Sequence, residues 1–180
     1  MTEESTAMVP DFGDDDEERK ICFICSKGSL DMAYPALIMA NGAVTEGVET
    51  HIFFTFWGMD MINKATMEDL RFTPLGNPAM HMPPGMGKLS EKHKPQGMGG
   101  LPGMTGMATK MLKKQIADLD VPEVPEFLEL LTDMGVQLWA CKMSVDKLGL
   151  DEDLQSPLES DIINVNDFIE LSDGAQVIFV

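Results

Sequence analysis

The sequence predicts a single α/β domain built on a mostly parallel sheet of about five strands. Three observations carry that expectation. Short apolar runs at residues 20–25, 50–56, 135–141 and 176–180 are bounded by Gly or polar turn residues, as strands buried on both faces of a parallel sheet are. Between them lie segments whose apolar residues recur at helical spacing. The alternation of the two patterns is that of right-handed strand–helix–strand crossovers.

Residues 1–18 read as a disordered acidic lead-in, where Asp14, Asp15, Asp16, Glu17 and Glu18 repel one another. The domain is expected to span residues 19–180. After the first strand, Ser29 and Asp31 are candidate caps, and Leu30, Ala33, Tyr34, Leu37 and Ile38 fall on one helical face. This predicts a helix over residues 29–46, with Pro35 tolerable in its early turns. The strand at 50–56 then leads into a short helix near 61–65.

From Phe72 to about Ala108 the pattern changes. Pro and Gly punctuate a stretch without periodicity, through which Met80, Met82, Met86, Met98, Met104 and Met107 are scattered. Structureless loops beyond about 15 residues are rare in compact domains unless functional or disordered, so residues 74–108 are expected to be a mobile Met/Gly/Pro-rich insertion. Helical patterns resume at 109–118 and 125–134, and the strand ending at Cys141 leads into a short helix at 144–148. An acidic loop at 151–160, a short strand at 162–165, a helix capped by Asn166 and a last strand at 176–180 complete the reading.

Thirty acidic against thirteen basic residues give a net charge of -17. That balance argues against nucleic acid or an anionic membrane as partner, since phosphate binding needs a basic face. No run approaches the roughly 20 apolar residues of a membrane helix, and the acidic start does not resemble a secretory signal. Three cysteines, an odd number, suit a reducing cytoplasm better than a disulfide scaffold.

The cysteines are the chief candidates for chemistry. Cys22 and Cys25 spell C-x-x-C, which suggests a thiol-disulfide redox pair. In one extended strand, however, they would face opposite ways with Cα atoms about 10 Å apart, against the roughly 4.4–6.8 Å of a disulfide. Cys22 therefore reads as a core thiol. Cys25 and Cys141 each end a strand with a helix expected beyond, where free amides favour a thiolate or an anionic sulfur group. The competing reading is packing, since free cysteine behaves as a small hydrophobe. His51 reads as structural. Met80, His81 and Met82 are suitable ligand types for a soft ion such as Cu(I), but no repeated spacing supports a metal, and none is expected. Walker, G-x-G-x-x-G, nucleophile-elbow and H-E-x-x-H patterns are absent from the sequence.

Several segments together resemble the DsrE/DsrF/DsrH-like sulfur-relay family. They are Ser26-Lys27-Gly28-Ser29-Leu30-Asp31, Asn41-Gly42-Ala43, Phe53-Phe54-Thr55-Phe56-Trp57-Gly58, Leu138-Trp139-Ala140-Cys141-Lys142-Met143-Ser144 and Asn166-Asp167-Phe168-Ile169-Glu170-Leu171. The similarity covers residues 19–180 apart from the insertion. It implies a three-layer α/β/α fold with five parallel strands, usually a homo-oligomer, and no cofactor. It also implies a cytoplasmic sulfur carrier or sulfurtransferase. Cys141 would receive sulfane sulfur as a persulfide, or thiosulfate as an S-thiosulfonate, and pass it to a small carrier of the TusA type. Cys141 and Cys25 are then the candidate reactive residues, with Ser26, Lys27, Gly28, Met143 and Ser144 as candidate substrate contacts. Where some members carry a second cysteine shortly after the first, this chain has Lys147, Leu148 and Gly149, so Cys25 could replace it only if the two strands are adjacent. The rival readings are a thiol-redox protein using Cys22 and Cys25, and an oligomeric binding module whose methionine loop docks on a partner such as a membrane complex.

Overall fold

The computed structural model describes residues 19–73, 75, 93, 96–150, 154 and 162–180. The chain runs through β1 (Lys20–Cys25), α1 (Leu30–Thr45), β2 (Glu49–Phe54), a 3-10 turn (Phe56–Met61), α2 (Gln96–Gly99) and α3 (Met104–Ala117). It continues through α4 (Val124–Asp133), β3 (Gln137–Cys141), α5 (Lys142–Leu148), β4 (Ile162–Ile163), α6 (Val165–Leu171) and β5 (Gln176–Phe179). The strands form one parallel sheet in the order β4-β3-β2-β1-β5. Helices lie on both faces, giving the three layers expected.

Strand geometry sends alternate side chains to opposite faces, and the two faces are unequally covered. On one face Phe23 and Cys25 of β1, Ile52 and Phe54 of β2, and Leu138 and Ala140 of β3 join the larger core with α1 and α4. The apolar stripe of α1, with Ala33, Leu37 and Ala40 fully buried, supplies most of the cover near β1 and β2. Phe127, Leu128 and Leu131 of α4 do the same beside it. On the other face Cys22, Phe53 and Cys141 form a small cluster whose remaining buried member is Phe168 of α6. Phe168 stacks on Phe53 at 4.3 Å between ring centroids.

Several boundaries differ from expectation for identifiable reasons. β2 stops at Phe54, and Phe56 enters a 3-10 turn with φ 49°, so the apolar run does not continue as strand. α3 starts at Met104, five residues before the periodicity suggested: Met104-Thr105-Gly106 is helical despite the low propensity of glycine, and Gly103 is its left-handed N-cap residue. The last part of the Met/Gly/Pro stretch is therefore ordered helix. α6 is capped by Asn164 rather than Asn166: the Asn164 side chain accepts from the Asn166 and Asp167 N–H groups, and the Asp167 carboxylate accepts from the Asn164 N–H. Residues 1–18, 76–92 and most of 151–160 lie outside the described residues, and with them His81, Met80 and Met82.

The contrast between buried and exposed positions of α1 is directly measurable. Leu37→Ala should lower unfolding free energy by about 2–5 kcal/mol in urea titration. The same truncation at exposed Ile38 should stay within about 0.5 kcal/mol.

Candidate functional site

The carboxyl ends of β1, β2 and β3 carry the segments singled out in the sequence. Thr55, just after β2, donates its N–H to the Cys25 carbonyl at 2.9 Å. Gly58 sits so close to that carbonyl that a Cβ there would lie 2.0 Å from its oxygen. Gly28 approaches the Trp57 carbonyl in the same way, with a Cβ 2.2 Å away. Only glycine fits at either point, and the 3-10 turn is thereby pressed onto the end of β1. Its left-handed Phe56 is held from the other side: the Phe56 N–H donates to the Ser144 hydroxyl at 3.0 Å, and Thr55 Oγ1 lies 3.3 Å from the same oxygen. Positive φ at a bulky residue persists only where the surroundings enforce it.

The outcome is an exposed aromatic pair between two hollows. Phe56, Trp57, Met143, Ser144, Lys147 and Leu148 line an apolar cavity of about 230 Å³. The Lys147 ammonium stands 5.1 Å over the Phe56 ring. On the far side of Trp57 a cleft of about 640 Å³ is lined by Lys27, Gly28, Ser29, Asp60 and Arg71, among others. Asp60 is held above the usual carboxylate range by desolvation, partly opposed by its hydrogen bond with Thr66. Arg71 is engaged by Asp69.

The predicted residues thus separate into groups. Lys27 and Gly28 line the polar cleft, whereas Met143 and Ser144 line the apolar cavity, with the Ser144 hydroxyl committed to the Phe56 backbone. Ser26 is tied by its N–H and hydroxyl to the Val180 carbonyl. Cys141 is the N-cap residue of α5, as its position at a strand's end suggested, but it is only 2% exposed. No helix starts directly after Cys25, since α1 begins at Leu30.

The three thiols are free and buried, and the sheet keeps them apart. Cys25 is level with Phe54 and, through it, with Ala140. β2 therefore intervenes between the strands of Cys25 and Cys141, roughly 10 Å across two strand spacings, and the two side chains enter different clusters. A direct bridge between them is ruled out in this arrangement. Cys22 and Cys25 lie within one strand and in opposite clusters, so a local disulfide is ruled out as well. Burial pushes the Cys25 thiol up to about 12, and burial also raises Cys22, with Lys20 opposing.

Sequence reasoning set His51 aside as structural and did not foresee its network. The ring is fully buried on the Cys22 face. Its Nδ1 accepts from the Trp139 indole N–H at 3.2 Å, and its Nε2 lies 2.8 Å from the Glu49 carboxylate. Because indole is only a donor, the contact requires Nδ1 unprotonated and places the hydrogen on Nε2. Nothing in the spacing of residues 51 and 139 signals this pairing, which exists only through the β2–β3 register. Among the described residues no group of three or more His, Cys, Asp or Glu is placed to hold a metal ion, and no helix is long and apolar enough to cross a membrane.

The model of the DsrE/DsrF/DrsH-like family matches residues 17–179. The chain belongs to this family. It is 42% identical over 130 residues to the sulfur carrier protein DsrE2 of Allochromatium vinosum, covering 72% of this chain and 78% of that one. It is also 31% identical over 141 residues to the Bacillus subtilis protein YrkE, covering 76% and 81% of the two chains. The family match includes both β1 and the β3–α5 junction, so it extends across the whole site just described.

Two expectations follow from the geometry. The raised Cys25 value means that its neutral form favours the fold. That contribution is complete below the ordinary thiol value of 9.0 and is lost as pH rises toward about 12. Urea midpoints should therefore fall from about pH 9 upward in the parent and fall less steeply in Cys25→Ala. Separately, Ser144→Ala should destabilise the protein by about 0.5–1.5 kcal/mol, because the part-buried Phe56 N–H loses its acceptor. Differential scanning calorimetry reads the loss, and Ser144→Thr should recover part of it.

Proposed function

We propose that this protein is a cytoplasmic sulfur carrier that holds sulfur on Cys141 and hands it to a partner. The observation that carries the reading is the place of Cys141, the N-cap residue of a helix at the carboxyl edge of a parallel sheet, where ligands of open α/β sheets bind. The Allochromatium vinosum relative, named a sulfur carrier protein, supports it. In the forward step the Cys141 thiolate attacks the outer sulfur of a polysulfide or a protein persulfide. A Cys141–S bond forms, and the donor's S–S bond breaks with the donor leaving as a thiolate. In the second step a partner thiolate attacks the outer sulfur and Cys141 leaves as the thiolate. With thiosulfate the bound form would be an S-thiosulfonate, which requires an oxidised donor such as tetrathionate.

The isolation of the three thiols bears on release. Cys25 lies on the other face, and Cys22 sits about 13 Å farther back along the strands, level with Gln137. The acceptor thiol must accordingly come from a second molecule, and a small carrier of the TusA type is the partner we propose. Lys27, Gly28, Met143 and Ser144 shape the two hollows on either side of Trp57, while Ser26 anchors the first loop. Assembly as a homo-oligomer belongs to the same reading, and docking to a membrane complex is compatible with it. The second reading, a binding module, is favoured by one observation: Phe56, Trp57 and Met143 are held exposed around an apolar cavity.

Intact-protein mass spectrometry separates these readings. After reduction and incubation with polysulfide or tetrathionate, the parent should gain a sulfur or thiosulfonate adduct that dithiothreitol removes. Cys141→Ala should gain none, while Cys25→Ala and Cys22→Ala should behave as the parent. No adduct with either donor would leave the binding module as the better account.

A further inference from the structure

The face of the sheet that holds Cys141 is thinly covered, and its cover leaves apolar side chains exposed on one flank. α6 is seven residues long, and Phe168 is its one buried residue. Within the cluster around Cys141, the other buried members, Cys22 and Phe53, lie on the strands themselves. Flanking that contact, Val165 is 51% and Ile169 63% exposed on α6, while Asn166 and Glu170 take the side opposite Phe168. Beside it, Val177 is 47% and Phe179 69% exposed on the edge strand β5. Val177 and Phe179 stand in register with Cys22 and Ile24, so they face the side on which α6 lies.

The rim of this patch is entirely acidic along its own segment. Asp167, Glu170 and Asp173 are exposed, and residues 162–180 contain no Lys, Arg or His. Lys20, which reaches the Leu171 carbonyl at 3.4 Å, is paired with Glu49. Apolar patches rimmed by charge mark docking sites. A second copy seated here by two-fold symmetry would set the same carboxylates against each other, in a chain already at -17. A partner with a basic rim would not meet that repulsion.

We infer that the α6–β5 face is the docking surface for a thiol-bearing protein partner with an apolar contact surface and a basic rim. The inference rests on the Cys141 reading above and adds to it where the partner binds. Contact with Val165 and Ile169 acts on the short helix whose Phe168 closes the Cys141 cluster. A partner seated there can draw α6 from the sheet and expose the sulfur bound to Cys141, whose outer atom the partner's thiolate attacks as Cys141 leaves.

The test uses the full chain and two short peptides. Each carries one leucine and one cysteine activated as its 2-thiopyridyl disulfide, flanked by lysines in one peptide and by glutamates in the other. The Cys141 thiolate attacks the peptide sulfur, a protein–peptide disulfide forms, and thiopyridine leaves as the thione after taking up a proton. Thione absorbance gives the rate, and Cys141→Ala gives the background. The lysine peptide should react about tenfold faster or more at low salt, and high salt should shrink the gap. Glu170→Lys combined with Asp173→Lys should abolish it. Ile169→Ala with Phe179→Ala should slow the lysine peptide about tenfold while leaving the rate with neutral 2,2′-dithiodipyridine unchanged.

Equal rates for the two peptides, or rates indifferent to these substitutions, would overturn the docking surface and leave the carrier reading standing. A dimer that Ile169→Asp converts to monomer in light scattering would assign the face to a second copy and overturn it as well. Failure of Cys141 to react even with dithiodipyridine would overturn the carrier reading, and this proposal with it.

Discussion

The alternation of side chains along three parallel strands, set against two unequally covered faces, is the constraint on which the rest of this molecule depends. Parallel register makes Cys25, Phe54 and Ala140 neighbours on the face filled by α1 and α4. The same register turns Cys22, Phe53 and Cys141 to the other face, where α6 is the cover. One residue of slip in any strand would exchange these fates. The thiols thus acquire different chemistry from geometry alone: one sits deep in the larger core, and another lies under a seven-residue helix.

A second constraint acts at the carboxyl edge. The two glycine contacts press the segment after β2 onto the end of β1, and Ser144 of α5 holds the same segment from β3's side. Three strands are thereby joined at their tips by one strained turn. Side chains that would ordinarily bury themselves, Phe56 and Trp57, are left outside as a wall between an apolar and a polar hollow. Strain of this kind is tolerated where the surrounding contacts over-determine it. Here the contacts come from the same segments that carry the family likeness.

Burial of Cys141 reconciles with a carrier role through the weakness of its cover. α6 is anchored by one aromatic stack and started by one capping box, and short helices derive their stability from such tertiary contacts rather than from propensity. In the carrier role proposed for Cys141, shielding a bound sulfur from water and releasing it to a partner would be two positions of this one small element. The same element carries exposed acidic residues, and the sheet keeps Cys25 on the opposite face from Cys141.

Much of the fold was legible in the residues. Apolar runs bounded by turns identified β1, β2, β3 and β5, helical spacing identified α1 and α4, and the family segments pointed to Cys141 before any geometry was known. Local pattern also argued against a Cys22–Cys25 pair, because period-two alternation sends the two side chains to opposite faces. Other features were beyond it. The start of α3 at a left-handed Gly103, the turn at Phe56 held by distant Ser144, and the cap at Asn164 rather than Asn166 were not signalled by periodicity. The separation of Cys25 from Cys141, the His51–Trp139 pairing and the joining of Phe168 to the Cys141 cluster all depend on which strands are neighbours and which face each helix takes. Sequence by itself determined the main strands and the helices α1 and α4, since periodicity and turn chemistry are local, but not α2 or the 3-10 turn that replaces the helix expected near 61–65. Only the tertiary structure decided which thiols share a face and which stand open, because strand order and register join residues that no local pattern connects.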